Sequence, residues 1–130
     1  MNYSTYNDTI CALATGGGLS AIAVIRLSCN KAIEITNSVF NKKIKEAKSH
    51  TIHFGTINDE EGIVDEVLVS ILKDGKTYTG EETVEISCHG STYIQDRLLQ
   101  LFIQKGCRMA TAGEFTMRAF KNGKLDLSQA

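Results

Sequence analysis

The residue in this chain best suited to chemistry is a carboxylate at the centre of an alternating strand. Thr77–Gly90 reads Thr-Tyr-Thr-Gly-Glu-Glu-Thr-Val-Glu-Ile-Ser-Cys-His-Gly. In its second half Val84, Ile86 and Cys88 fall on one side, and Thr83, Glu85, Ser87 and His89 on the other. One side is apolar enough for a core. The other sets a carboxylate, a hydroxyl and an imidazole in a row. Gly80 and Gly90 bracket the stretch at points where a backbone can turn or let a ligand approach. A purely structural half-buried strand shows the same alternation. The functional reading rests on Glu85, which is flanked by small polar groups rather than by lysines.

Glu85 needs partners. Arg26 stands at the end of an almost continuously apolar run, Ala21–Leu27, of the kind expected for a central strand covered on both faces. An arginine buried there requires an anionic or carbonyl partner, in either a structural ion pair or a ligand contact. Lys124 is a second available cation. A carboxylate accepts two parallel hydrogen bonds from a flat N–H pair such as a guanidinium, and the aminopyrimidinone edge of a pterin or guanine presents a comparable pair.

Other chemistries find less support. Gly16-Gly17-Gly18 is not followed by the Gly-Lys-Ser/Thr that a phosphate loop needs, and this segment alone is not expected to hydrolyse a nucleotide. Cys88 and His89 are adjacent on a strand and point to opposite faces, which argues against a thiol–imidazole pair. His50 and His53 would also diverge, and no clustered metal ligands are seen.

The surrounding pattern supplies the elements that position these groups. Strands are expected at Asp8–Ala14, Ala21–Leu27, His50–Ile57, Ile63–Lys73 and Cys107–Ala110, besides the central stretch. Ser28 is placed to cap a helix carrying Ala32, Ile33, Ile35, Thr36, Val39 and Phe40. Ser91 or Thr92 is placed to cap one that runs to Lys105 and stops at Gly106. A third helix, Glu114–Asn122, is expected to bury Phe115, Ala119 and Phe120. Asn41–Lys48 reads as a solvated, lysine-rich connector, and Asp74-Gly75 as a turn. Interleaved helices and strands with hairpin turns indicate an α+β fold, a mixed β-sheet packed with about three helices. Residues 1–125 are read as one domain, and Asp126-Leu127-Ser128-Gln129 as the cap of a helix belonging to a longer protein.

At 130 residues the chain is large enough for its own core. No segment is long and apolar enough to span a membrane, and no signal peptide precedes Asp8, so the expectation is a cytoplasmic protein. A net charge of −1 with intermixed signs argues against a broad nucleic-acid-binding face. Cysteines at 11, 29, 88 and 107 lie in or beside apolar runs and read as small buried hydrophobes.

Several clusters together resemble one family. They are Asp8-Thr9-Ile10, Ile25-Arg26-Leu27-Ser28, Tyr78-Thr79-Gly80-Glu81-Glu82, Val84-Glu85, His89-Gly90, Gly113-Glu114-Phe115-Thr116, Arg118-Ala119-Phe120 and Asn122-Gly123-Lys124-Leu125-Asp126-Leu127. In this order they resemble the N-terminal domain of the tRNA modification GTPase family MnmE, also called TrmE. The resemblance implies a fold similar to the folate-binding domain of glycine-cleavage aminomethyltransferases. It also implies a homodimer binding a tetrahydrofolate derivative (formyl- or methylene-tetrahydrofolate) near the subunit interface, with Arg26, Glu85 and Lys124 as the folate contacts. Family members continue into a helical domain and a GTPase domain, where GTP, magnesium and potassium bind. With the flavoprotein MnmG (GidA) they add an aminomethyl-type group to the wobble uridine of tRNA.

Some positions depart from the family pattern. The first loop, Thr15-Gly16-Gly17-Gly18-Leu19-Ser20-Ala21, lacks the usual prolines and arginine, Ala112 replaces a proline, and Ser91 replaces a glycine. Two rival readings therefore remain: a pure dimerisation module without folate binding, and a free-standing folate-dependent one-carbon transferase.

Overall fold

The computed structural model describes residues 8–15, 21–73 and 81–121. Among these, the elements run β1 (Ile10–Leu13), β2 (Ile22–Ser28), α1 (Ala32–Val39), β3 (Thr51–Asp59), β4 (Gly62–Leu72), β5 (Thr83–His89), α2 (Thr92–Gln104), β6 (Arg108–Met109) and α3 (Glu114–Lys121). The strands make one sheet in the spatial order β3-β4-β5-β2-β1-β6. Its neighbours are antiparallel except for the parallel β1–β6 pair, so the sheet is mixed and the class is α+β, as expected from the sequence.

Period-two alternation decides which face becomes the core. Ala23, Ile25 and Leu27 of β2, Val67, Val69 and Ile71 of β4, and Val84, Ile86 and Cys88 of β5 share one face and are all buried. Helices α1 and α2 supply the second layer, with Ile33, Ile35 and Val39 from one and Leu98, Leu101 and Phe102 from the other. All four cysteines are buried free thiols. In α2 the Ser91 hydroxyl accepts the Ile94 N–H at 3.1 Å, and Gly106, at φ 118°, ends the turn that follows. The expected cap of α1 is not found. Ser28 is a fully buried residue of β2, and Lys31 occupies the cap position without a side-chain bond. The strand runs one residue further than its apolar run, and Cys29, at φ 109°, then turns the chain towards the helix.

The opposite face is only partly covered, which corrects the expectation that β2 is buried on both sides. Its outward positions are graded. Ser28 and its partners Ile10 and Thr83 are buried at the end nearest α3, Arg26 and Val24 are half-buried, and Ile22 is 64% exposed. Helices α1 and α2 lie against the other face, so nothing within the described residues shields this end of β2. Ile52, Phe54 and Leu68 of the neighbouring strands are likewise exposed. The glycine loop 16–18, the Asp74-Gly75 turn, Lys124 and the residues from Asp126 onwards lie outside the described residues.

Candidate functional site

Glu85 and Arg26 are direct cross-strand partners, at the centre of a row that runs Ala12, Arg26, Glu85, Ser70 across β1, β2, β5 and β4. Partners in register share a sheet face, so strand pairing alone brings these two side chains together from positions 59 residues apart. Arg26 donates from Nε (2.9 Å) and Nη2 (2.8 Å), and both bonds land on Glu85 Oε2. No described residue bonds Glu85 Oε1. The two side chains keep 24% and 28% of their exposure, which places the pair at the boundary between covered and open sheet.

Helix α3 forms the wall on the covered side. The Phe115 ring lies 5.5 Å from the Arg26 guanidinium, so the cation is held between a carboxylate and an aromatic ring. The helix itself is fixed by buried charges that the spacing of apolar residues did not reveal. Arg118, 1% exposed, donates to the Asp8 carbonyl (2.9 Å), Glu81 (3.2 Å) and Glu114 (3.1 Å). Arg108 forks onto both oxygens of Glu114 at 3.0 and 2.6 Å and reaches Asp8 through Nε at 2.9 Å. Burial opposes the Glu114 charge. The hydrogen bonds from Arg108 and the Thr111 N–H, with the charges of Arg108 and Arg118, outweigh it and hold the group at about 2. Arg108 itself is pushed above its ordinary value by Glu114 and then Asp8. The one local sign of this network is the four-residue spacing of Glu114 and Arg118, which puts them on one helical face. The burial expected of Phe120 is not observed, since it is 37% exposed, while Phe115 is half-buried and Ala119 fully buried.

His89 follows Glu85 by four residues on the same strand face and is exposed. Its Nδ1 bonds the buried Asp65 carboxylate at 2.7 Å, and its backbone N–H donates to the other oxygen of that carboxylate at 2.8 Å. The carboxylate fixes the ring and closes the strand pairing beyond Ser87, where the β4–β5 ladder ends. Cys88 points into the core, as alternation requires, and donates to the Ala23 carbonyl at 3.6 Å. Burial first, and the Asp65 charge second, push its thiol up to about 11, which leaves it protonated at neutral pH. The arrangement sets a carboxylate oxygen, a fixed cation and an aromatic edge on an open sheet face.

Of the three residues singled out from sequence, the fold unites Arg26 and Glu85, and Lys124 lies outside the described residues. The pieces that surround the pair match known proteins along nearly the whole chain. The family described as GTP-binding protein TrmE N-terminus matches residues 9–124. A tRNA modification GTPase MnmE of Flavobacterium psychrophilum is 60% identical over 129 residues, covering 96% of this chain and 28% of the relative. That of Flavobacterium johnsoniae is 61% identical over 127 residues, covering 95% and 27%. That of Thermoanaerobacter pseudethanolicus is 49% identical over 129 residues, covering 95% and 28%. The chain thus spans little more than a quarter of the length of these relatives. The matched stretch spans the sheet and the strand pair at its centre, and the chain belongs to the TrmE N-terminal family.

Proposed function

We propose that the chain is a tetrahydrofolate-binding and homodimerising domain, and that its site takes the flat nitrogen-rich edge of the pterin. The observation that carries this reading is Glu85 itself. Arg26 fixes the carboxylate through Oε2 and, among the described residues, leaves Oε1 as an acceptor, while the Phe115 ring lies against the Arg26 guanidinium. These residues fit a reduced folate. Glu85 offers the acceptor for a pterin N–H, Arg26 a donor for its carbonyl, and Phe115 an apolar edge. Lys124 is proposed as a further cation for the same ligand. When bound, the folate supplies a one-carbon unit. The residues of this chain orient it, with Arg26 holding the Glu85 carboxylate in place.

The wider reading joins tRNA modification and a GTPase, which the relatives' names give, to what the family resemblance of the sequence implies. In a full-length protein carrying a GTPase domain, this module would serve the addition of an aminomethyl-type group to the wobble uridine of tRNA. It would act with a flavoprotein of the MnmG type in the cytoplasm. The segment here would bind folate without hydrolysing GTP. The exposed apolar positions Ile22, Ile52, Phe54 and Leu68 lie on the same sheet face as the pair and support self-association there. They favour the dimerising role even where ligand binding is lost, which keeps the pure dimerisation module as the second reading.

Calorimetric titration with 5-formyl-tetrahydrofolate separates the two. Glu85→Gln keeps size and removes charge, and is expected to weaken binding by about 5- to 100-fold, the cost of a buried N–H donor left with a poorer acceptor. Unchanged affinity in that variant would remove Glu85 from the site. No heat with the unaltered chain, alongside a dimer in solution, would leave the dimerisation module.

A further inference from the structure

The connector between α1 and β3 gathers four lysines within the seven residues 42–48. Every arginine is committed to a carboxylate: Arg26 to Glu85, Arg97 to Asp59, Arg108 to Asp8 and Glu114, and Arg118 to Glu81 and Glu114. Lys42, Lys43, Lys45 and Lys48 are all exposed, and none pairs with a carboxylate among the described residues. They face a single acid in their own segment, Glu46, in a chain whose net charge is −1.

This segment is pinned, although the sequence reads as a solvated link. Ile44 is fully buried and its N–H donates to Asn37 Oδ1 at 2.9 Å. Ala47 donates back to the Ile44 carbonyl at 3.0 Å. Asn41 bonds Thr56 twice, its N–H donating to the carbonyl at 3.0 Å and its Oδ1 accepting the Thr56 N–H at 2.9 Å. With Ile44 turned inward, Lys43 and Lys45 are turned outward. They line a concavity of about 690 Å³ with Asn37, Glu46, Ala47 and His53. Lys42 reaches around the edge strand and lies 5.8 Å from the exposed Phe54 ring.

We propose that this connector is an RNA contact, with Lys43 and Lys45 taking backbone phosphates in the concavity beside the His53 ring, and Lys42 a further phosphate at the strand edge, where Phe54 faces the other side of the sheet. The choice of RNA rests on the reading of the chain as part of a tRNA-modifying protein. The concavity favours it independently over a flat anionic surface such as a bilayer, which cannot enter a hollow. Lysines act here as point charges, suited to position and affinity rather than to base identity. The same lysines also stand by the outer edge of β3, where charge discourages strand-to-strand aggregation, so the test must tell the two apart.

Fluorescence anisotropy with labelled tRNA over a salt series of roughly 50–200 mM makes that distinction. The triple variant Lys42→Ala, Lys43→Ala, Lys45→Ala is expected to bind tRNA at least about tenfold more weakly at low salt, with the log–log salt slope reduced by about 2 to 3. Its affinity for 5-formyl-tetrahydrofolate should not change, so the folate reading and the RNA contact stand or fall separately. The proposal is overturned if the unaltered chain shows no salt-sensitive tRNA binding, or if the variant keeps its affinity and slope. It is also overturned if the lysines matter equally for phosphatidylserine vesicles, or if their loss causes assembly into larger species while tRNA binding is unchanged.

Discussion

Glu114 is negatively charged where burial disfavours charge, and this has a measurable consequence. Its folded-state value of about 2 lies below its ordinary 4.5, so its charge stabilises the fold above the unfolded value. That contribution is fully present above pH 4.5 or so and is lost as pH falls through the folded value, a difference of roughly 3 kcal/mol. Urea unfolding between pH 2 and 6 should show a steep loss of stability for the native chain and a flatter one for Glu114→Gln. Parallel acid limbs would show that the network with Arg108 and Arg118 does not hold the group so low. Arg26 was legible because it interrupts an apolar run and needed a partner of opposite charge, and Glu85 because it stands at the centre of an alternating strand among small polar groups. The Arg118 network was not. Arg118 draws on Asp8 and Glu81 from positions 110 and 37 residues away, and no local spacing reports a meeting made only by folding.

At the scale of elements, β3 shows how a single residue can set the position of an edge. Gly55 lies beneath the chain that leaves α1, and a Cβ at that position would fall 2.3 Å from Asn41 Oδ1 and 2.8 Å from two atoms of the Phe40 ring. Phe40 forms a bridge with Ile57, and Asn41 bonds Thr56, so neither neighbour can move without breaking the seam that covers this part of the edge. Gly55→Ala is therefore expected to cost about 1–3 kcal/mol through overpacking, read by urea denaturation. A neutral result would mean that the seam yields. Element types were largely visible from periodicity, including the run from Ser91 to Gly106. Coverage was not. A continuous apolar run such as Ala21–Leu27 does not tell whether its second face is covered by the chain's own helices or by nothing, and here Ile22 is open.

For the molecule as a whole, the open sheet face joins the Arg26–Glu85 pair to the apolar surface on which self-association is proposed. Arg26 and Glu85 sit where α3 stops shielding the sheet, and Leu68, Phe54 and Ile22 continue outward from them with rising exposure. In the proposed homodimer this face is shared, so folate binding and dimerisation are coupled equilibria. Linkage then requires that a reduced folate tighten the dimer by the same factor by which dimerisation tightens the folate. Sedimentation equilibrium with and without 5-formyl-tetrahydrofolate measures the first factor, and titration at protein concentrations on either side of the dimer constant measures the second. Leu68→Lys places a charge on the apolar part of the face and leaves the core untouched, because Leu68 is 43% exposed. It is expected to yield a folded monomer that binds folate with the weaker, monomer affinity at every concentration. A Leu68→Lys variant that remains dimeric would move the interface to another surface. A monomer with undiminished folate affinity would show that one subunit's Glu85 and Arg26 suffice for the ligand.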